Sequence, residues 1–179
     1  MSLYQYKIKI FAYHRACIKS ISNFSNESEL RYVGGCIRKI LSNEEVDDID
    51  LATIFEPEEV KKRLNKKDIK VIDTGVSHGT ITAILNNKKF EITTLRKDVS
   101  TDGRHANVQI TLDWNQDASR RDFTINAIYA DIEGRFFDPL NGISDLQNGI
   151  IKFIGLSEER IQEDYLRILR YFRFFAQYS

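Results

Sequence analysis

Apolar and polar positions change places in short runs along most of this chain, and the period of each run names an element. An apolar run ending at Tyr32-Val33 reads as a strand, and a brief helical segment follows a double glycine. A second strand carries Asp48 and Asp50, with Ile49 and Leu51 projecting to the opposite face. Pro57 opens a helix at its first turn, with Glu56, Glu58 and Glu59 at the favourable end of its dipole, running to about Leu64. Lys70 to Asp73 is a short strand, and Gly79 to Leu85 with Lys89 to Leu95 form a hairpin around Asn86-Asn87-Lys88. Arg96 to Asp113 is polar around Gly103 and has no sustained period, which predicts a long unstructured insert. Arg120 to Ala130 predicts a helix on which Asp122, Ile125 and Asn126 share a face. Ala130 to Asp138 is a strand pair turning at Glu133-Gly134, and Asp138-Pro139-Leu140-Asn141-Gly142 breaks the chain. The last helix begins near Ser157, with Ile161, Tyr165, Leu169, Phe172 and Ala176 as its packing stripe. Ahead of all this, Tyr4, Tyr6, Ile8 and Ile10 alternate like a strand, while Ile10, His14, Ile18 and Ile21 suit a helix. The helical reading, over residues 8 to 22, is the one favoured.

Composition narrows the class. The 179 residues are 42% apolar and 29% charged, enough for one folded domain with a core and little more. Formal net charge is zero, so any RNA contact has to come from local patches such as Lys61-Lys62-Arg63, Lys66-Lys67 or Arg120-Arg121. The first two patches read as solvated helix faces. Cys17 and Cys36 make no disulfide framework, and His14, His78 and His105 make no metal cluster. No apolar run approaches membrane-spanning length, and the amino terminus lacks a signal-peptide pattern. These features point to a cytoplasmic protein.

Three places carry candidate chemistry. Asp48 and Asp50 on one strand face repel each other unless a cation lies between them, and hard carboxylate oxygens suit Mg²⁺ together with substrate phosphate oxygens. Just upstream, Gly34 and Gly35 allow a backbone to approach a phosphate, and Arg38 can pair with it bidentately. A lone Asp-x-Asp or Gly-Gly is common in turns; their order and spacing are what raise the signal. Arg120 and Arg121 at a helix start would oppose its dipole unless an anion sits there, although surface arginines bonded to loop carboxylates are the commoner case. Asp164, Arg167, Arg170 and Arg173 drift round the last helix at three-residue spacing. Ordinary intrahelical ion pairs, each worth roughly 0.3–0.5 kcal/mol, explain that spacing without a function.

Taken in order, these motifs resemble the class II CCA-adding enzymes and bacterial poly(A) polymerases, the tRNA nucleotidyltransferase family. The matching residues are Gly34-Gly35-Cys36-Ile37-Arg38, then Asp48-Ile49-Asp50-Leu51-Ala52-Thr53, Arg120-Arg121-Asp122-Phe123-Thr124-Ile125-Asn126-Ala127, Asp138-Pro139 with Gly142, and Glu163-Asp164-Tyr165-Leu166-Arg167. Lys39 stands where the family usually has aspartate, and Ser42 where glycine is usual. The resemblance covers residues 30 to 179. It implies an α+β nucleotidyltransferase head, DNA polymerase β-like, with a mixed and largely antiparallel sheet over residues 1–150. Residues 151–179 would begin a helical neck. It further implies Mg²⁺ on Asp48 and Asp50, with Glu91 as a third acidic residue, although local pattern alone reads Glu91 as solvent-facing. Arg38 and Arg121 would grip the triphosphate of CTP or ATP alongside Gly34 and Gly35, and Asn126 would contact the ribose. Asp164 and Arg167 would select the base, supported by Arg170 and Arg173. The acceptor would be the 3′ end of tRNA. The insert after Arg96 would match a mobile loop, and its Thr101-Asp102-Gly103-Arg104-His105-Ala106 string favours CCA addition over poly(A) synthesis. Family members continue into neck, body and tail domains, so the apolar last helix predicts self-association or a separately encoded chain. A poly(A) polymerase head and a non-catalytic nucleotide-binding remnant are the alternatives.

Overall fold

The structure, a computed structural model, describes residues 29–75, 79–102 and 105–179. The helix expected over residues 8 to 22 lies outside them. The described residues divide into two compact units, one of those up to 95 with 129–137 and one of those within 96–128 with 138–179.

The first unit is built on a seven-stranded sheet. Its elements are β1 (Leu30–Val33), α1 (Gly35–Leu41), β2 (Ile49–Thr53), α2 (Pro57–Asn65), β3 (Lys70–Gly75), β4 (Thr80–Leu85), β5 (Lys88–Thr94), β8 (Tyr129–Ala130) and β9 (Phe136–Phe137). Strand order is β3-β4-β5-β2-β1-β8-β9, and every neighbouring pair is antiparallel except β2 with β5. The sheet is therefore mixed and largely antiparallel, as expected. The β4–β5 hairpin turns on Asn86 and Asn87, both at positive φ, the geometry that a two-residue hairpin loop demands and asparagine tolerates. α2 starts at Pro57 and buries Val60 and Leu64 against the unit's interior. Its basic run is a solvated face: Lys61 pairs with Glu58, and Lys62 and Arg63 with Glu59.

The second unit holds a separate hairpin, β6 (Arg96–Asp102) and β7 (His105–Ile110), then α3 (Trp114–Ser119), a 3₁₀ turn (Thr124–Asn126), α4 (Gly142–Gln147), α5 (Ser157–Glu163) and α6 (Leu166–Tyr178). The segment expected to be unstructured is thus a paired hairpin. Ala106, Val108 and Ile110 do alternate with Asn107 and Gln109 in β7, the two-residue period of a strand, and Val108 and Ile110 are exposed; β6 is polar apart from Val99 and carries no such period. Arg120 to Ala130 is not a continuous helix either. Phe123 is extended and bridges Phe153, Ile154 N–H donates to Asp122 O, and only one 3₁₀ turn follows. The last helix is two helices. Asp164 takes an extended conformation (φ −156°, ψ 104°), which resets the helical phase, so the stripe expected from Ile161 onwards does not carry through. Tyr165, Leu169, Phe172 and Ala176 are exposed, and the packed face is Tyr171, Phe174 and Tyr178. Phe174 meets Phe123 edge-on at 5.5 Å, and Tyr171 stacks on Phe153 at 5.8 Å. Among the described residues no helix is long and apolar enough to cross a membrane.

Candidate active site

In the first unit, the parallel pairing of β2 with β5 does the positioning. Ile49 aligns with Phe90 and Leu51 with Ile92, and these four side chains are buried. Partners in a parallel ladder share a face, so the buried set fixes the alternate face, where Asp50 aligns with Glu91. Asp50 is half-buried and Glu91 exposed. Asp48 lies one residue ahead of β2 and is exposed, so the pair straddles the strand's start rather than sitting inside it.

The double glycine has a defined geometry. Gly34 has φ 70°, a conformation that favours glycine, and its carbonyl accepts from Arg38 N–H to begin α1. A Cβ placed on Gly35 would stand 4.0 Å from both Arg38 Nη2 and Asp50 Oδ2. The space above Gly35 is therefore bordered by one guanidinium and one carboxylate. Arg38 itself is buried. Cys36 donates its thiol to Val33 O at 3.2 Å and lies 3.6 Å from Asp50 O; burial, then the charge of Asp50, pushes this thiol up to about 11. Lys39, in the place of the family's aspartate, reaches Asp47 at 3.4 Å on the surface.

Asp48 and Asp50 offer hard oxygen donors, a set that fits a divalent cation holding further waters and substrate oxygens. Among the described residues no three His, Cys, Asp or Glu side chains stand close enough to form a metal-binding group by themselves. Glu91 aligns with Asp50 along the sheet.

In the second unit the centre is Asp117, which sequence reasoning overlooked. Its carboxylate, 1% exposed, accepts from Arg120 Nε at 2.9 Å and Arg121 Nη2 at 3.1 Å, and from the N–H of Arg96 at 3.3 Å. The i+3 and i+4 spacing from Asp117 to the two arginines was a legible signal. Both arginines lie at the C-terminal end of α3, where the helix dipole favours cations, and not at a helix start. Burial, then repulsion from Arg120, holds Arg96 below the ordinary arginine range, partly offset by Asp117. Two or more arginines around one carboxylate leave a positive excess suited to an anion.

Asn126 is buried and donates Nδ2 to Asp122 Oδ1 at 2.9 Å, while Arg170 Nη2 reaches Asp122 Oδ2 at 2.7 Å. Asp122 thus links Asn126 with α6. The turn beneath is held by close approach: a Cβ on Gly142 would fall 2.1 Å from Thr124 O, and Asp138 accepts from the N–H groups of Gly142 and Ile143. The Arg167 N–H donates to Asp164 O at 3.0 Å, while the two side chains find other partners. Asp164 Oδ1 caps Leu166 N–H, and Arg167 binds Glu163 and donates to Arg160 O. Arg173 is exposed and lies over the Phe174 ring.

Comparison with known proteins adds independent findings. The profile of the family described as "Poly A polymerase head domain" matches residues 30–152. A relative from Homo sapiens, "CCA tRNA nucleotidyltransferase 1, mitochondrial", is 51% identical over 150 residues, which are 83% of this chain and 35% of the relative. The crystal structure of the Bacillus stearothermophilus CCA-adding enzyme in complex with CTP superposes with a TM-score of 0.78 and 33% identity, over 90% of this chain and 38% of that one. A tRNA nucleotidyltransferase complexed with a primer tRNA and an incoming ATP analog gives a TM-score of 0.67 and 28% identity, over 82% of this chain and 41% of that one. The chain therefore spans little more than a third of the length of these proteins. Likeness at this level carries the nucleotidyltransferase head fold.

Proposed function

The chain belongs to the poly A polymerase head-domain family, and from that premise we propose that it is the catalytic head of an RNA nucleotidyltransferase adding CMP and AMP, from CTP and ATP, to the 3′ end of tRNA. The observation that carries the reading is the Asp50 carboxylate, which aligns with Glu91 in the sheet and borders the space above Gly35 together with Arg38, an arrangement that supports a cation and a phosphate meeting there. The names of the CTP-bound and tRNA-bound relatives support the choice of substrates.

Within the first unit, Asp48 and Asp50 would hold Mg²⁺, which when bound supplies charge neutralisation at the reacting phosphate and lowers the pKa of an attacking hydroxyl. Gly34 and Gly35 leave room for phosphate oxygens, and Arg38 takes part of their charge. Glu91 adds a negative charge that favours cations on that face. Within the second unit, Arg121 is assigned a phosphate contact and Asn126 a ribose contact. Asp164 and Arg167 offer an acceptor and donors to the base edge, and Arg170 and Arg173 back them. The reaction joins an RNA 3′-hydroxyl oxygen to the α-phosphorus and releases pyrophosphate. The head would comprise residues 1–150, and residues 151–179 would begin the neck. A helical partner surface, or a second copy, would cover the exposed side chains of α6, and the cytoplasm is the proposed compartment.

Equilibrium binding of the four nucleoside triphosphates in the presence of Mg²⁺ tests the reading. CTP and ATP should bind at least about tenfold more tightly than UTP and GTP, a difference of ~1.4 kcal/mol. Equal affinity for all four, or no binding, would remove the base-selection assignment.

A further inference from the structure

We infer that Arg160 is a positioning residue that couples the phosphate contact of this site to its base contact, an inference that rests on the nucleotidyltransferase reading. Arg160 lies on α5, is 9% exposed, and has no part in the roles assigned above. Its Nη2 donates to two successive main-chain carbonyls, Arg120 O at 2.6 Å and Arg121 O at 2.8 Å. Its Nη1 pairs with Glu163 at 2.7 Å. Its own carbonyl accepts from Arg167 Nη1 at 2.8 Å, and Arg167 also binds Glu163. One buried residue thus touches the backbone that carries Arg121 and the side chain of Arg167.

The arrangement constrains both. Asp117 fixes the guanidinium of Arg121 from the side-chain end, while Arg160 fixes the carbonyl of the same residue. A shift of Arg160 would move the Arg121 main chain and the carbonyl on which Arg167 rests. A planar guanidinium can span two carbonyls and a carboxylate together; a lysine ammonium, a point charge on a flexible stem, cannot hold all three in that geometry. A simple staple between α5 and the preceding segment would affect stability alone, whereas coupling through Arg167 affects the choice of base.

The test is a double-mutant cycle on the whole chain, read as CTP and UTP dissociation constants with Mg²⁺ for wild type, Arg160→Lys, Arg167→Ala and the double variant. Arg160→Lys should weaken CTP binding about tenfold, the size expected for lost charged hydrogen bonds, and shrink the preference for CTP over UTP. In the Arg167→Ala background, Arg160→Lys should leave the remaining preference unchanged. Glu163→Gln, which keeps side-chain volume and removes the charge facing both arginines, should reduce the preference as well, and it decides the matter if Arg160→Lys does not fold. Wild-type affinity and preference in both Arg160→Lys and Glu163→Gln overturn the inference while leaving the proposed function standing. An equal loss for both nucleotides, in both backgrounds, makes Arg160 a staple and overturns it too. A wild-type chain that binds neither nucleotide overturns the proposed function and this inference together.

Discussion

Asp48 and Asp50 differ in their surroundings although they lie two residues apart. Asp48 is exposed ahead of β2, whereas Asp50 is half-buried beside Gly35 and Arg38. Two neighbouring carboxylates repel in the absence of a cation, so neutralising the exposed Asp48 should not destabilise the metal-free protein. Asp48→Asn or Asp50→Asn is expected to lower Mg²⁺-dependent nucleotidyl transfer by about 10²–10³-fold or more. The melting temperature of Asp48→Asn without metal should stay within the shift that ~0.5 kcal/mol gives, as for an exposed side chain. Paired activity and thermal-melt measurements check this, and a severe loss of metal-free stability would count against a metal site. The residue scale is also where the sequence was most informative, because Gly34, Arg38 and Asp50 are close in the chain and a short strand–turn–helix brings them together. It was least informative at Asp117 and Arg160. Asp117 owes its importance to burial and to the distant Arg96 N–H as well as to its neighbouring arginines, and Arg160 to the main-chain carbonyls of Arg120 and Arg121, which a residue's own identity does not announce.

At the scale of elements, the sheet was legible because its strands alternate against a buried face, and Asn86-Asn87 marked its hairpin. The second unit was less so. β7 alternates at Ala106, Val108 and Ile110, but its partner β6 is polar apart from Val99 and gives no strand period, and Phe123 takes an extended bridge where helical spacing suggested a turn of helix. α6 inverted the expectation from hydrophobic spacing. Ion pairs of Arg167 with Glu163 and Arg170 with Asp122 draw its polar residues inward beside Tyr171 and Phe174, leaving Leu169 and Phe172 outside. Phe174 is 2% exposed and packs against Phe123, while Phe172 is 63% exposed. Phe174→Ala should therefore cost about 3–5 kcal/mol, and Phe172→Ala no more than ~0.5 kcal/mol. Denaturant unfolding of both variants distinguishes this packing from the stripe suggested by spacing, for which the ranking would reverse.

For the whole molecule, formal net charge is zero. Affinity for RNA has to come from local groups such as Arg121, and long-range attraction adds little. The exposed side chains of Tyr165, Leu169, Phe172 and Phe175 make an apolar surface of the kind that marks a partner or self-association. Sizing at rising protein concentration should show association that Phe172→Glu abolishes, unless a helical partner from the native source occupies the surface and co-purifies. A strictly monomeric, partnerless chain that extends tRNA efficiently would contradict this.

Nucleotidyl transfer to RNA is read as incorporation of labelled CMP and AMP into tRNA lacking its 3′ end. Wild-type chain at high concentration with Mg²⁺ should add both nucleotides and stop, with activity lost on chelation and in Asp50→Asn. Long adenylate tails would instead make the chain a poly(A) polymerase head. No incorporation from any triphosphate, with the protein folded and Mg²⁺ present, would contradict the account and leave a nucleotide-binding module without catalysis.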